Sequence, residues 1–140
     1  MSERGTPDVV HVVAWADPVH DALGFGPASS YPEEVWLPRL GPSAYLLWRH
    51  LCRVLHRHPS GASVALADLA GALGLGGRGG TATVRRTIAR LAHFDVVALC
   101  ADGLAVRRRL PRLTDGQAAS LPGRARAAHL ALTTGVGKPA

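Results

Sequence analysis

"LGLGGRGGTATVRRTIARL", from Leu73 to Leu91, decides how the chain is read. Five glycines fall between Gly74 and Gly80, and a basic, helix-like pattern follows them. The stretch is either a phosphate cradle for an enzyme or a turn between two helices of a binding module. A nucleoside-triphosphate loop needs a Gly-rich turn ending in Gly-Lys-Ser/Thr, with the lysine on the terminal phosphates. Here the turn ends "GGTAT", and the one lysine of the chain is Lys138. A dinucleotide fingerprint would follow a strand. The residues before this loop, "DLAGALGL", read instead as a short helix from Asp68 to about Leu73, with Gly74 as its C-cap. No nucleotide cofactor is expected, and the glycines read as a flexible turn.

After the turn, a helix is expected over 81–94. Val84, Ile88 and Leu91 stand at i, i+4 and i+7 and make its buried face, which Phe94 extends. Ala82, Arg86, Ala89 and Arg90 fall on the outer face, flanked by Thr83 and Arg85. Upstream, Pro42 opens and Pro59 stops a helix over 42–58, with Ala44, Leu47, Trp48, Leu51, Val54 and Leu55 as its core stripe. A basic stripe, Arg49, Arg53 and Arg57, runs beside it. "GASVAL" (61–66) is a short strand. Downstream, Val96–Cys100 and Leu104–Arg109 read as a hairpin turning at Ala101-Asp102-Gly103. Thr114 with Gln117 is a capping box opening a further helix, and "RARAAHLAL" a second one beyond Pro122.

The order is helix, strand, helix, turn, helix, hairpin, which is that of a winged helix-turn-helix. The fold class expected is therefore mainly α with a small β hairpin (α+β). The segments divide as a disordered arm (1–8), an acidic aromatic segment that packs over the domain to finish its core or docks on a partner (9–41), the winged domain (42–113), C-terminal helices (114–132) and a flexible tail (133–140). Within 9–41, "VVHVVAWA" is a strand or helix turn, Asp17-Pro18 starts a short helix ended by Gly24 and Gly26, and "PASSYPEEVWLPRLGP" reads as extended.

Charge sharpens the functional expectation. The formal net charge is +6, but residues 1–34 carry six acids and one base, whereas residues 35–140 carry fifteen bases and four acids. An acidic front joined to a strongly basic body points to a polyanionic partner, of which nucleic acid is the commonest. The counter-explanation is a GC-rich genome, since fifteen of the sixteen bases are arginine. In the helix over 81–94, small outer residues let the backbone sink into a major groove. Arg85, Arg86 and Arg90 can then reach phosphates or guanine edges. Thr81 and Thr83 at its start suit a backbone phosphate, and Arg78 is a further contact. In the wing, Arg107 and Arg109 share one face by strand alternation. Arg108 points the other way, to pair with an acid or cover the core.

Catalytic and metal chemistry find little support. No Ser-His-acid or Cys-His set stands out, and Asp68, Asp95, Asp102 and Asp115 read as caps and turns. His50, Cys52, His56 and His58 cluster on one helix, but Cys52 lies near the apolar stripe, so no metal is expected. Cys52 and Cys100 read as buried free thiols of a reducing cytoplasm. No apolar run of about 18 residues marks a membrane span, and "MSERGTPD" lacks a signal-peptide pattern.

"WADPVHDALGFGPASSYPEEVWLPRLGPSAYLLW" (15–48), with "LAVRRRLPRL" and "RARAAH", resembles a group of small uncharacterised actinobacterial proteins. In that group a similar segment precedes a winged-helix-like region. The resemblance implies a fold and a bacterial cytoplasm, not an activity. One departure is the seven to ten residues between the two helices of the motif, where three or four are usual.

The expectation is a non-enzymatic, cytoplasmic, nucleoid-associated protein that binds double-stranded DNA through the helix at 81–94 and a basic wing at 96–109, as a transcriptional regulator. A homodimer would form through the N-terminal segment or the C-terminal helices. The alternative is a protein–protein adaptor on the same scaffold, using Trp15, Tyr31 and Trp36 of the aromatic segment to finish a partner's surface. A further alternative is an RNA binder.

Overall fold

The computed structural model describes residues 8–101 and 103–134. The arm at 1–7, Asp102 of the hairpin turn and the tail at 135–140 lie outside the described residues. Seven α-helices and one four-stranded sheet make a mixed α+β fold among these residues.

The chain begins with a strand, β1 (Val9–Ala14). Asp17 then caps α1 (Pro18–Leu23) by accepting from the His20 N–H at 3.2 Å, with Pro18 in the first turn. Proline fits there because its missing N–H has no helical partner in any case. The same rule overturns the extended reading of the Pro-rich segment. Pro32 opens a π-helical turn (Pro32–Trp36) that runs directly into α2 (Leu37–Leu40), with Pro38 in that first turn. The prolines mark helix starts here, and the apolar residues between them turn inward at helical spacing.

The long helix α3 (Pro42–Arg57) follows after Gly41. Its expected core stripe is buried through Ala44, Leu47, Trp48, Leu51 and Leu55. Strand β2 (Ala62–Ala65), α4 (Leu66–Ala72), α5 (Gly80–His93) and the hairpin β3 (Val97–Cys100) and β4 (Gly103–Val106) complete the expected series. Helix α6 (Asp115–Ala119) carries the reciprocal Thr114–Gln117 capping box, and α7 (Gly123–Thr133) closes the described chain.

The sheet differs from the small hairpin expected. Its order is β2-β1-β4-β3. β1 pairs antiparallel with β2 (Val10 opposite Val64) and parallel with β4 (Val12 opposite Leu104). The N-terminal strand thus separates the strand after α3 from the hairpin after α5. Alternation along the strands buries Val12, Leu104 and Val106 completely. The three helices α3, α4 and α5 pack over these through Leu51, Leu69, Val84 and Leu91. Trp48, fully buried, gives its indole N–H to the Arg107 carbonyl at 2.7 Å, which ties α3 to the end of β4. Cys52 is buried as expected, but Cys100 is exposed, because it lies at the hairpin end on an edge strand.

Candidate nucleic-acid interface

The glycine loop has a defined shape. Helix α4 ends in a Schellman arrangement: Leu75 N–H donates to the Ala70 carbonyl (2.7 Å) and Gly74 N–H to that of Gly71 (3.1 Å). Gly74 sits at φ +75°, in the left-handed region that glycine adopts without cost. At the other end, a Cβ on Gly80 would collide with the Leu75 carbonyl oxygen. The loop therefore closes tightly on itself just where α5 begins. The turn expected from sequence has a defined geometry at both ends, with Arg78 exposed on it.

Helix α5 is amphipathic in the expected sense. Val84, Thr87, Ile88 and Leu91 are buried, while Ala82, Arg85, Arg86 and Ala89 are exposed. Thr87, which the sequence reading passed over, gives its hydroxyl to the Thr83 carbonyl at 2.8 Å, and so satisfies itself inside the core. Thr83 in turn gives its hydroxyl to the Gly79 carbonyl and accepts from Arg86 Nη2, both at 3.1 Å. Arg86 is thereby held against its own helix, on the outer face. Arg85 meets Asp8 at 2.9 Å, but both side chains are more than half exposed, 57% and 56%. An exposed pair of this kind contributes little and yields readily to a stronger anion. Thr81 is partly exposed in the first turn, which holds no acid.

Three of the expected contacts are bonded within the chain, Arg90 while remaining exposed. Arg90 donates through Nε to the Leu40 carbonyl and through Nη2 to that of Arg39 (3.3 Å), and its guanidinium lies 5.2 Å from the Phe94 ring centre. It caps the C-terminal carbonyls of α2, where a cation also complements the helix dipole. Arg107 is closely enclosed, its side chain 11% exposed. Its Nη1 is 2.9 Å from Asp17, its Nε donates to the Asp95 carbonyl at 2.7 Å, and the guanidinium stacks 3.7 Å from the Trp15 ring centre. Arg109 donates to the Gly24 carbonyl at 2.9 Å. β4 stops at Val106, so these arginines follow the strand and do not line a wing. The hairpin from Val97 to Val106 carries no basic residue, and Leu99 beside its turn is 71% exposed. The basic wing expected at Arg107 and Arg109 is a clamp on the acidic N-terminal segment. Arg108 joins it through Asp21 at 3.4 Å. Arg107 also holds the Asp17 carboxyl below its ordinary value of 3.8, aided by the His20 N–H.

The aromatic segment is likewise committed within the chain. Tyr31 is 1% exposed; its hydroxyl accepts from Leu113 N–H (2.9 Å) and lies 2.7 Å from His129 Nδ1. Burial pushes the His129 pKa below its usual value. Trp36 is buried and donates to the Pro111 carbonyl at 2.9 Å, and Phe25 stacks on Tyr31. Trp15 lies partly exposed under Arg107. Tyr31 and Trp36 are thus core residues and not a docking surface, because their polar atoms already have partners on α7 and on the chain after β4. The sequence signals were there, in the acids opposite an arginine triplet, but pairing needs distance, which one strand's alternation does not supply.

Among the described residues, no group of three His, Cys, Asp or Glu is placed to hold a metal ion. No helix among them is long and apolar enough to cross a membrane. Burial raises the Cys52 thiol to about 12, so it is protonated and unreactive at neutral pH. Set against models of protein families, curated proteins and solved structures, the chain matches none. The geometry alone carries the functional reading.

Proposed function

We propose that this chain is a winged helix-turn-helix protein that binds double-stranded DNA through the first half of α5. One observation carries the reading: a helix packed on α3 and α4 by one face turns small residues and arginines outward on the other. Ala82 and Ala89 leave room for the helix to approach the major-groove floor. Arg85 and Arg86 then reach guanine O6 and N7 or the flanking phosphates. Arg78, Thr81 and Thr83 serve the backbone at the helix N-terminus, where amide N–H groups favour an anion. Arg107 and Arg109 take no part, since each is bonded within the fold, and the exposed Arg90 is bonded to the carbonyls at the end of α2.

The biological role that fits is transcriptional regulation at the nucleoid, with a homodimer setting two α5 helices about 34 Å apart on successive turns of DNA. The test is fluorescence anisotropy with random duplex DNA at two salt concentrations. Affinity is expected to fall with salt at a log–log slope of about −0.9 per neutralised phosphate. Arg85→Ala with Arg86→Ala is expected to flatten that slope by about two. Duplex binding that is absent at low salt, or untouched by the double change, rejects the proposal and leaves the adaptor reading standing. That reading now falls to exposed apolar residues such as Val19, Leu23 and Leu99.

A further inference from the structure

The basic stripe of α3 is not used by the proposed DNA face. Arg49, Cys52, Arg53 and His56 fall at i, i+3, i+4 and i+7, so they share one side of the helix. This side forms one wall of a cavity of about 460 Å³. Arg108 reaches into its lining from the end of the sheet, and Pro27, Leu55 and Pro59 supply apolar surface. Among the described residues, no carboxylate lies within ion-pair distance of Arg49 or Arg53, and only Asp21 approaches Arg108, at 3.4 Å. Three guanidinium groups from two elements thus converge on one concave space with almost no compensating charge. Such an arrangement leaves a positive potential facing the concave space, which an anion would complement. The space lies in the range of small-molecule sites, about 300–1,000 Å³.

We propose that this cavity binds a small organic anion: a phosphate or carboxylate group on a flat apolar body. The charged group would sit between Arg49, Arg53 and Arg108, whose planar forks suit a bidentate oxyanion. The apolar body would lie along Pro27, Leu55 and Pro59. Cys52 forms part of the lining as an inert thiol. The inference does not rest on the DNA reading, since none of these residues lies on α5 or the glycine loop. Arg57, next on the stripe, is not part of the lining and serves as the control.

The experiment is a titration of the full chain with phenyl phosphate, followed by amide nuclear magnetic resonance at Ala28, Leu55 and Arg108. Parallel arms use inorganic phosphate, benzoate and neutral benzamide. Saturable shifts are expected with phenyl phosphate and benzoate, at least tenfold weaker binding of inorganic phosphate, and no shift with benzamide. Arg49→Gln and Arg53→Gln are each expected to weaken phenyl phosphate about tenfold, with Arg57→Gln unchanged and spectra elsewhere preserved. The proposal is overturned if the shifts do not saturate, if benzamide produces them too, or if inorganic phosphate binds as tightly as phenyl phosphate. It also fails if the two glutamine variants bind phenyl phosphate normally and lose only duplex DNA.

Discussion

Two sets of arginines in this molecule look alike in sequence and end in opposite situations. "VRRT" on α5 leaves Arg85 and Arg86 on an exposed helix face, one on a weak surface pair and one on its own threonine. "VRRRL" after β4 sends Arg107 to Asp17, Arg108 to Asp21 and Arg109 to the Gly24 carbonyl. The chemistry of the side chains is the same. What differs is the neighbour brought by the fold: helix α1 lies over the chain after the sheet and offers carboxylates and a carbonyl, whereas among the described residues the outer side of α5 meets one acid, the exposed Asp8. An arginine cluster therefore signals an external polyanion only where the chain has no acids of its own to spend there.

Breaking the inward region is expected to have the largest effect. Trp36→Ala empties a buried site and strands the Pro111 carbonyl, and is expected to lower stability by about 3–5 kcal/mol in chemical denaturation. Were Trp36 a docking residue, the folded chain would tolerate the change. Tyr31→Phe keeps the ring but leaves Leu113 N–H and His129 Nδ1 without the hydroxyl, a loss of about 1–3 kcal/mol by the same measurement.

Next comes the clamp itself, read through pH. Because Asp17 titrates lower in the folded chain than its ordinary 3.8, its contribution is present above that value. It is lost as pH falls through the depressed pKa. Acid titration of the unfolding midpoint is expected to show a decline in this window that becomes shallower in Arg107→Gln. An identical acid limb in the two proteins would mean that the Arg107–Asp17 contact does not persist in solution. The outward region gives the smallest effect on folding: Arg85→Ala and Arg86→Ala are each expected to stay within about 0.5 kcal/mol of the parent. A loss well beyond that would place these arginines in the fold and remove them from the proposed DNA face.

Much of the fold was legible in local patterns. The apolar spacing of Leu47, Leu51 and Leu55, the Thr114–Gln117 box and the Pro42 start all act within a few residues, and each element formed where its signal lay. The Pro-rich segment misled because proline is compatible with both an extended chain and a first helical turn, and Val35, Trp36 and Leu40 decide for the helix by what they bury. The partners of Arg90, Arg107 and Tyr31 were not legible. These lie 50, 90 and 98 positions away, beyond any periodicity. For the candidate site, the outer face of α5 follows from angular spacing alone, while the cavity beside α3 needs Pro27 and Arg108 to arrive from distant parts of the chain.

The position of β1 bears on how this molecule comes into being on the ribosome. It is made before either of its neighbours, and its parallel partner in β4 emerges about ninety residues later. Until then β1 can pair with β2 and the helices can begin to pack, but the sheet stays open at the edge where β4 belongs. Closing it joins residues far apart in the chain, so the entropy of a long loop is spent in one late step. A fragment beginning at Pro42 would contain the entire expected binding motif and still lack the strand that makes its sheet continuous.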